Sequence, residues 1–144
     1  MNLEEYVLTK INIDVLKQIL NIDNSVEKTN LQVEEVLTLI KNYKKFDPIN
    51  VKFSIVCDGE LENTINLLMN YRSNINYIYV NHHYMGIYIY LLSILNDIDE
   101  NIIQIEENNL NKNRLLDNIV ISGSRDFTLD YKERLNNKNI IIYN

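Results

Sequence analysis

The spacing of the hydrophobic residues changes near residue 48. Before it, apolar side chains recur at helical intervals, as at Leu3, Val7, Ile11 and Val15. Spacing of this kind predicts amphipathic helices, so we expect residues 1–47 to be helical. Asn12 or Asp14 is expected to divide the first stretch into two helices. Asp47 and Pro48 are expected to end this part, because proline disfavours helical geometry in the residue before it.

From residue 51 onward, short apolar runs rich in β-branched residues alternate with longer amphipathic stretches. The predicted strands are residues 51–57, 76–80, 101–105, 118–122 and 139–143. Such strands are typical of parallel sheets covered on both faces, and right-handed crossovers wind them into a doubly wound sheet. We therefore expect an α/β fold, a three-layer Rossmann-like sheet of about five strands. With no repeat and no linker, residues 1–144 are expected to form one domain with its core at 51–144.

One stretch is open to two interpretations. Alternating tyrosine and isoleucine on both sides of a turn at Asn81–Gly86 would suit a β-hairpin. The helix interpretation, for residues 83–95, rests on apolar residues at helical spacing, among them Ile87, Tyr88, Leu91 and Leu95. We favour the helix because it continues the alternation of strands and helices.

Composition narrows the range of partners and compartments. The net charge of −6 and the pI of about 4.9 argue against a nucleic acid or an anionic membrane as the main partner. The single cysteine, Cys57, fits a reducing compartment. The N-terminus lacks the pattern of a secretion signal, and no apolar run reaches the ~18–20 residues of a membrane span, so we expect a cytoplasmic protein. Asparagine is abundant and alanine is absent, which an AT-rich coding sequence explains.

Three predicted strands end in polar residues, at the edge where an open parallel sheet binds ligands. These ends are Cys57-Asp58-Gly59, Asn81-His82-His83 and Ser122-Gly123-Ser124. We expect them to converge. The amides of Gly123 and Ser124 would contact a phosphate if the helix that follows presents its N-terminus to a ligand. A strand-helix turn with Ser124 as N-cap needs no ligand, and it is the favoured interpretation.

The other candidates also have a functional and a structural interpretation. His82 and His83 would bind a metal or transfer protons, but they have no ligand partner at suitable spacing, so we favour an exposed pair at a helix start. Cys57 would be a nucleophile, but no motif links it to a base, so we favour a buried residue at a strand end. Asp58 is most simply an N-cap. We expect no metal site and no catalytic residue.

The strand ends carry a resemblance to a known family. The half from about residue 51 to 144 resembles the cofactor-binding half of the aldehyde dehydrogenase superfamily, including its acyl-CoA reductase relatives. The stretches that carry it are YVNHH, VISGS and NIIIYN. The resemblance implies the strand order 3-2-1-4-5 and an NAD or NADP site. Asn81 replaces the family's ribose-binding lysine, and Thr128 replaces the later glycine of the Gly-Ser turn.

The resemblance also implies a change of function. The chain ends at Asn144, before the family's catalytic cysteine, so we expect a non-catalytic domain that acts by binding a protein partner or itself. The alternative is a nucleotide-binding protein for an NAD-, NADP- or CoA-type ligand, or one half of a split oxidoreductase. Its candidate cofactor-binding residues are Asp58, Asn81, His82, Gly123 and Ser124.

Overall fold

The computed structural model describes residues 2–23, 29–81, 85–95, 103–104, 110 and 112–143. Within them, the helices are α1 (Leu3–Lys10), α2 (Ile13–Asp23), α3 (Thr29–Lys41), α4 (Leu61–Tyr71), α5 (Met85–Leu95) and α6 (Arg125–Arg134). The strands are β1 (Phe53–Cys57), β2 (Ile75–Val80), β3 (Ile103–Gln104), β4 (Asn118–Ser122) and β5 (Asn139–Tyr143). A short 3₁₀ turn at Lys112–Arg114 precedes β4.

The strands form one parallel sheet in the order β3-β2-β1-β4-β5. The predicted α/β class with a parallel sheet is confirmed. The central strand β1 is buried along its whole length, which explains why its sequence is almost entirely apolar. Its last residue, Cys57, lies beside Val80 of β2 and Ser122 of β4.

Side chains alternate between the two faces of the sheet. On the first face, Ile55 and Cys57 of β1 pack against α4 and α5, and α1, α2 and α3 form an outer layer over those two helices. On the second face, Val56 packs in a smaller core with Tyr131 and Leu135 at α6. The N-terminal helices thus add a further layer to one side of the expected three-layer arrangement.

The stretch after β2 is a helix and not a hairpin, as predicted. Strand β2 ends at Val80, and α5 spans Met85–Leu95. The side chains of Ile87, Tyr88 and Leu91 are buried, because this apolar helix lies between the sheet and the N-terminal helices. The uninterrupted apolar character of α5 follows from being covered on both sides.

The first helical stretch is divided at Asn12. The Asn12 Oδ1 atom accepts hydrogen bonds from the amides of Asp14 (3.0 Å) and Val15 (3.3 Å), which caps the start of α2. The Tyr90 hydroxyl of α5 donates to the Asn12 carbonyl (3.1 Å) and fixes this turn. The break shifts the buried face, so Val15 is exposed and Leu16 is buried.

The prediction that residues 1–47 are helical is wrong at its end. Helix α3 ends at Lys41, and residues 43–52, which we call the strap, are extended along α4. Three asparagines at intervals of four hold its backbone, namely Asn66, Asn70 and Asn74. Asn70 both accepts from the Phe46 amide (3.0 Å) and donates to the Lys44 carbonyl (2.7 Å). These side-chain amides supply the hydrogen bonds that a continued helix would have made.

The strap is also anchored by an aromatic side chain. The Phe46 ring lies 5.7 Å from the Tyr71 ring of α4 and 5.1 Å from the Tyr143 ring of β5. The Tyr71 hydroxyl donates to the Asp47 carbonyl (3.2 Å). Phe46 therefore joins α4 to the edge strand β5 on the first face of the sheet.

We predict that Asn70→Ala loosens the strap. The substitution removes both hydrogen bonds to the strap and lowers the free energy of unfolding by about 1–3 kcal/mol. Because Lys44 and Lys45 are exposed, trypsin cleavage there should become faster. The control is Asn63→Ala, a half-buried asparagine of α4 outside this set. Equal cleavage rates in the two variants, measured by limited proteolysis with mass spectrometry, would contradict the role of Asn70.

Candidate functional site

The polar ends of the central strands converge at one edge, as predicted. The Asn81 amide donates to the Cys57 carbonyl (2.9 Å), and the Asp58 amide donates to the Ser122 carbonyl (3.2 Å). The Gly123 amide donates to the carbonyl of Tyr143 (3.2 Å). These hydrogen bonds continue the parallel ladders for one residue beyond the strands. They place Asp58, Asn81 and Gly123 side by side on neighbouring strand ends.

The Gly-Ser turn joins β4 to α6. Gly123 has a φ of +152°, a conformation that side chains with a Cβ rarely adopt. The Ser124 Oγ atom accepts a hydrogen bond from the Phe127 amide (3.2 Å), so Ser124 is the N-cap of α6, as predicted. The later position Thr128 is buried, and its hydroxyl donates to the Arg125 carbonyl (3.0 Å).

The carboxylate of Asp58 lies against this turn. Its Oδ2 accepts a hydrogen bond from the Ser124 amide (2.9 Å), and its Oδ1 accepts from the Glu60 amide (3.0 Å). A Cβ atom added at Gly123 would lie 2.5 Å from Asp58 Cγ. The glycine is therefore needed for the close approach of a carboxylate of the same chain. The Ser124 amide, which would contact a phosphate, therefore already donates to the Asp58 carboxylate.

The expectation that Asp58 is the N-cap of the helix after β1 is wrong. The N-cap of α4 is Glu60, whose carboxylate accepts from the amides of Glu62 (3.1 Å) and Asn63 (2.8 Å). Gly59, with a φ of 90°, turns the chain between Asp58 and Glu60. This turn lets the Asp58 carboxylate reach Ser124, so the acid bonds to the N-cap residue of a helix that follows a different strand.

Negative charge accumulates around this turn. Burial raises the pKa of the Tyr143 hydroxyl, and the carboxylates of Glu62 and Glu60 raise it further. Burial likewise raises the pKa of the Tyr88 hydroxyl, with smaller contributions from neighbours that include Asp58 and Glu60. Both tyrosines thus stay neutral near pH 7. Acids that disfavour a phenolate nearby also disfavour a phosphate.

Cys57 is a buried residue at a strand end, as favoured from the sequence. Its side chain is fully buried, and burial raises the pKa of the thiol to about 12. The thiol is therefore protonated near neutral pH, whereas nucleophilic attack requires the thiolate.

The Asn81 side chain contacts α6 and not the Gly-Ser turn. The Asn81 side chain is half-buried, and its Nδ2 donates to the Tyr131 hydroxyl of α6 on the second face (3.4 Å). His82 and His83 lie outside the described residues. Four of the five predicted cofactor-binding residues lie in the described part of the chain. Asp58 contacts Gly123 and Ser124, and Asn81 lies on the neighbouring strand end.

Sequence reasoning missed one contributor to this edge. The Tyr88 hydroxyl of α5 donates to the Gly59 carbonyl (2.5 Å) and fixes the turn between Asp58 and Glu60. Tyr88 was identified only as part of an apolar helix face. Its hydroxyl gave no signal, because the sequence does not show which turn a buried tyrosine meets. Tyr88 and Asp58 thus both form hydrogen bonds to the backbone of this turn.

A comparison of the chain with protein-family models, curated proteins and solved structures finds no match. The resemblance to aldehyde dehydrogenases therefore stays a prediction. The described residues contain no cluster of three or more histidine, cysteine or carboxylate side chains that would bind a metal ion. No helix in the described parts of the chain is long and apolar enough to cross a membrane.

We predict energetic coupling between Asp58 and Gly123. Asp58→Ala should lower the free energy of unfolding by about 1–2 kcal/mol, because the amides of Ser124 and Glu60 lose their acceptor. Gly123→Ala should lower it by about 2 kcal/mol or more, because the new Cβ meets the carboxylate and the φ is unfavourable.

A double-mutant cycle measured by urea denaturation tests this coupling. Gly123→Ala should be at least about 1 kcal/mol less damaging in the Asp58→Ala background, where the clash is absent. The control background is Asp126→Ala, which removes an exposed carboxylate from the first turn of α6. Additive effects of Asp58→Ala and Gly123→Ala would contradict the contact.

Proposed function

We propose that this protein is a non-catalytic binding domain that docks a protein partner on strand β5. The observation that carries the proposal is the outer edge of β5, which no other strand among the described residues pairs with. The side chain of Ile141 is 56% exposed and that of Ile142 is 36% exposed, in a strand without charged residues. Exposed edge strands of this kind are templates for pairing with another strand, and natural proteins usually protect them with charge or proline.

The backbone of β5 shows which groups are available. The Asn139 amide donates to the Asp117 carbonyl (2.8 Å), and the Tyr143 carbonyl accepts from Gly123, so both residues point their backbone groups toward β4. In a parallel ladder, alternate residues bond to the same neighbour. The amides and carbonyls of Ile140 and Ile142 therefore point away from β4, toward the open edge.

An apolar groove adjoins this edge on the first face. Its volume is about 120 Å³, and it lies at the starts of β1, β4 and β5. Its lining includes Ile49 and Val51 of the strap, together with Val120 and Ile141. The helices that cover β1 and β2 on this face do not cover Ile141, so the groove and the edge form one continuous apolar surface.

The chemistry of this surface defines the partner. Four outward backbone groups at Ile140 and Ile142 recognise an extended strand through its main chain. The neutral side chains of β5 and the apolar groove favour uncharged, β-branched side chains on that strand. This is β-strand addition, in which main-chain hydrogen bonds give affinity and pockets select alternate side chains. The partner is accordingly an uncharged extended segment of a protein.

The alternative is a nucleotide-binding domain. It would use the amide of Ser124 and the close backbone approach that Gly123 permits. Both are engaged by the Asp58 carboxylate, so a phosphate has to displace a charge that belongs to the chain. The acidic surroundings oppose that exchange. This geometry supports the binding-domain proposal over the nucleotide alternative.

We predict that a blocked pentapeptide of alternating threonine and valine binds at β5. Titrated into the ¹⁵N-labelled protein, it should shift the amide signals of Ile140 and Ile142 and leave those of Asp58 and Ser124 unchanged. Ile142→Pro should abolish the shifts, because it removes an outward donor without removing a hydrogen bond to β4. The control is Leu129→Lys, which alters an exposed residue of α6. Shifts confined to the Gly-Ser turn would contradict the proposal, and so would the absence of shifts at millimolar peptide in protein that light scattering shows to be monomeric.

A further inference from the structure

We infer that the strand which pairs with β5 is β5 of a second copy of this chain. The two strands run antiparallel, with Ile141 on a two-fold axis, and the sheets of the two copies become continuous. This inference rests on the proposed function and adds the identity of the partner. Three properties of β5 support it, namely the alternate residues whose backbone groups point outward, the exposed side chains and the absence of charge.

The positions of the outward backbone groups determine the register of the two β5 strands. With Ile141 on the axis, Ile140 lies opposite Ile142 of the second copy, and both residues have outward backbone groups. Residues that face each other in this way exchange two hydrogen bonds in an antiparallel pair. The symmetry repeats the exchange on the other side of the axis, so all four outward groups of each strand are used. An axis through Ile140 or Ile142 would instead pair one of them with a residue outside β5.

The side chains agree with this register. Ile141 lies opposite its own copy at a non-hydrogen-bonded position, where the two Cα atoms approach to about 4.5 Å. This contact covers the most exposed hydrophobic side chain of β5 and continues the apolar surface into the groove beside it. On the second face, Ile140 lies opposite Ile142 of the second copy, so β-branched side chains meet across the interface on both faces.

The charges do not oppose the pairing. The five residues of β5 are uncharged, so no like charges face each other within the paired segment. Lys138, the nearest charged residue, lies outside the pair and contacts Asp117 at 3.5 Å. Symmetric strand pairs are commonly prevented by a charge on the edge strand, because the two-fold axis places that charge near its own copy. Strand β5 lacks this protection.

Disulfide trapping of Ile141→Cys tests the inference. The axis places the two introduced cysteines opposite each other at a separation compatible with a disulfide. Under mild oxidation at micromolar concentration, we expect a covalent dimer that forms at least about tenfold faster than for a cysteine placed elsewhere on the surface. The native Cys57 is buried and does not compete.

The matched control is Leu129→Cys on α6, because Leu129 is 51% exposed and Ile141 is 56% exposed. Light scattering of the wild type should show a dimer that Ile141→Lys dissociates and Leu129→Lys does not, with circular dichroism confirming that both variants are folded. Equal cross-linking of the two cysteine variants would overturn the inference. If the Thr-Val peptide still shifts β5 in that case, strand binding stands and only the second copy is excluded. If neither occurs, the proposed function falls as well.

Discussion

A carboxylate at the end of the central strand holds together the edge where parallel α/β sheets bind their ligands. Asp58 follows the buried strand β1, and its two oxygens accept from the amides of Ser124 and Glu60. It thereby joins the end of β1 to the start of α6, which follows a different strand. Gly123 permits the contact because it has no side chain in the space that the carboxylate fills. The N-terminus of α6 thus has its negative charge supplied by the chain itself.

The contact between Asp58 and Ser124 occupies the strand ends, whereas the outer side of β5 is exposed. The helices on the first face cover β1 and β2, and the strap with its Phe46 anchor continues that cover only as far as Tyr143. The rest of β5 lies outside this cover, and its side chains are mostly exposed although the strand is apolar. The occupied Gly-Ser turn and the exposed, uncharged strand β5 are the two observations on which the proposed strand pairing rests.

Much of the sheet was predictable because its strands are local patterns. Residues 118–122 and 139–143 were predicted with the bounds that β4 and β5 have, and the N-cap at Ser124 followed from the turn. Convergence of the strand ends followed from the parallel arrangement alone. Helix α5 was preferred to a hairpin because its apolar residues fit helical spacing and because a helix continues the alternation of strands and helices.

The rest depended on contacts between segments distant in sequence. Asn70 bonds to the backbone of Lys44 and Phe46, which lie 24 or more residues away in sequence. Because asparagine is abundant throughout the chain, the sequence did not distinguish the three asparagines that hold the strap. Asp58 resembled an N-cap of the next helix, and only the turn at Gly59 carries it to Ser124 instead. The exposure of Ile141 depends on which strands the helices cover, which no local pattern in NIIIY records.

Detection of the Asp58–Ser124 hydrogen bond by NMR tests the central claim most directly. A scalar coupling across this bond, between the Ser124 amide nitrogen and Asp58 Cγ, is expected in the free protein. It should persist unchanged when NAD or inorganic phosphate is added at millimolar concentration, because the carboxylate already occupies the site. Absence of the coupling, or its loss together with a shift of the Ser124 amide on addition of either ligand, would contradict the account and favour a nucleotide site.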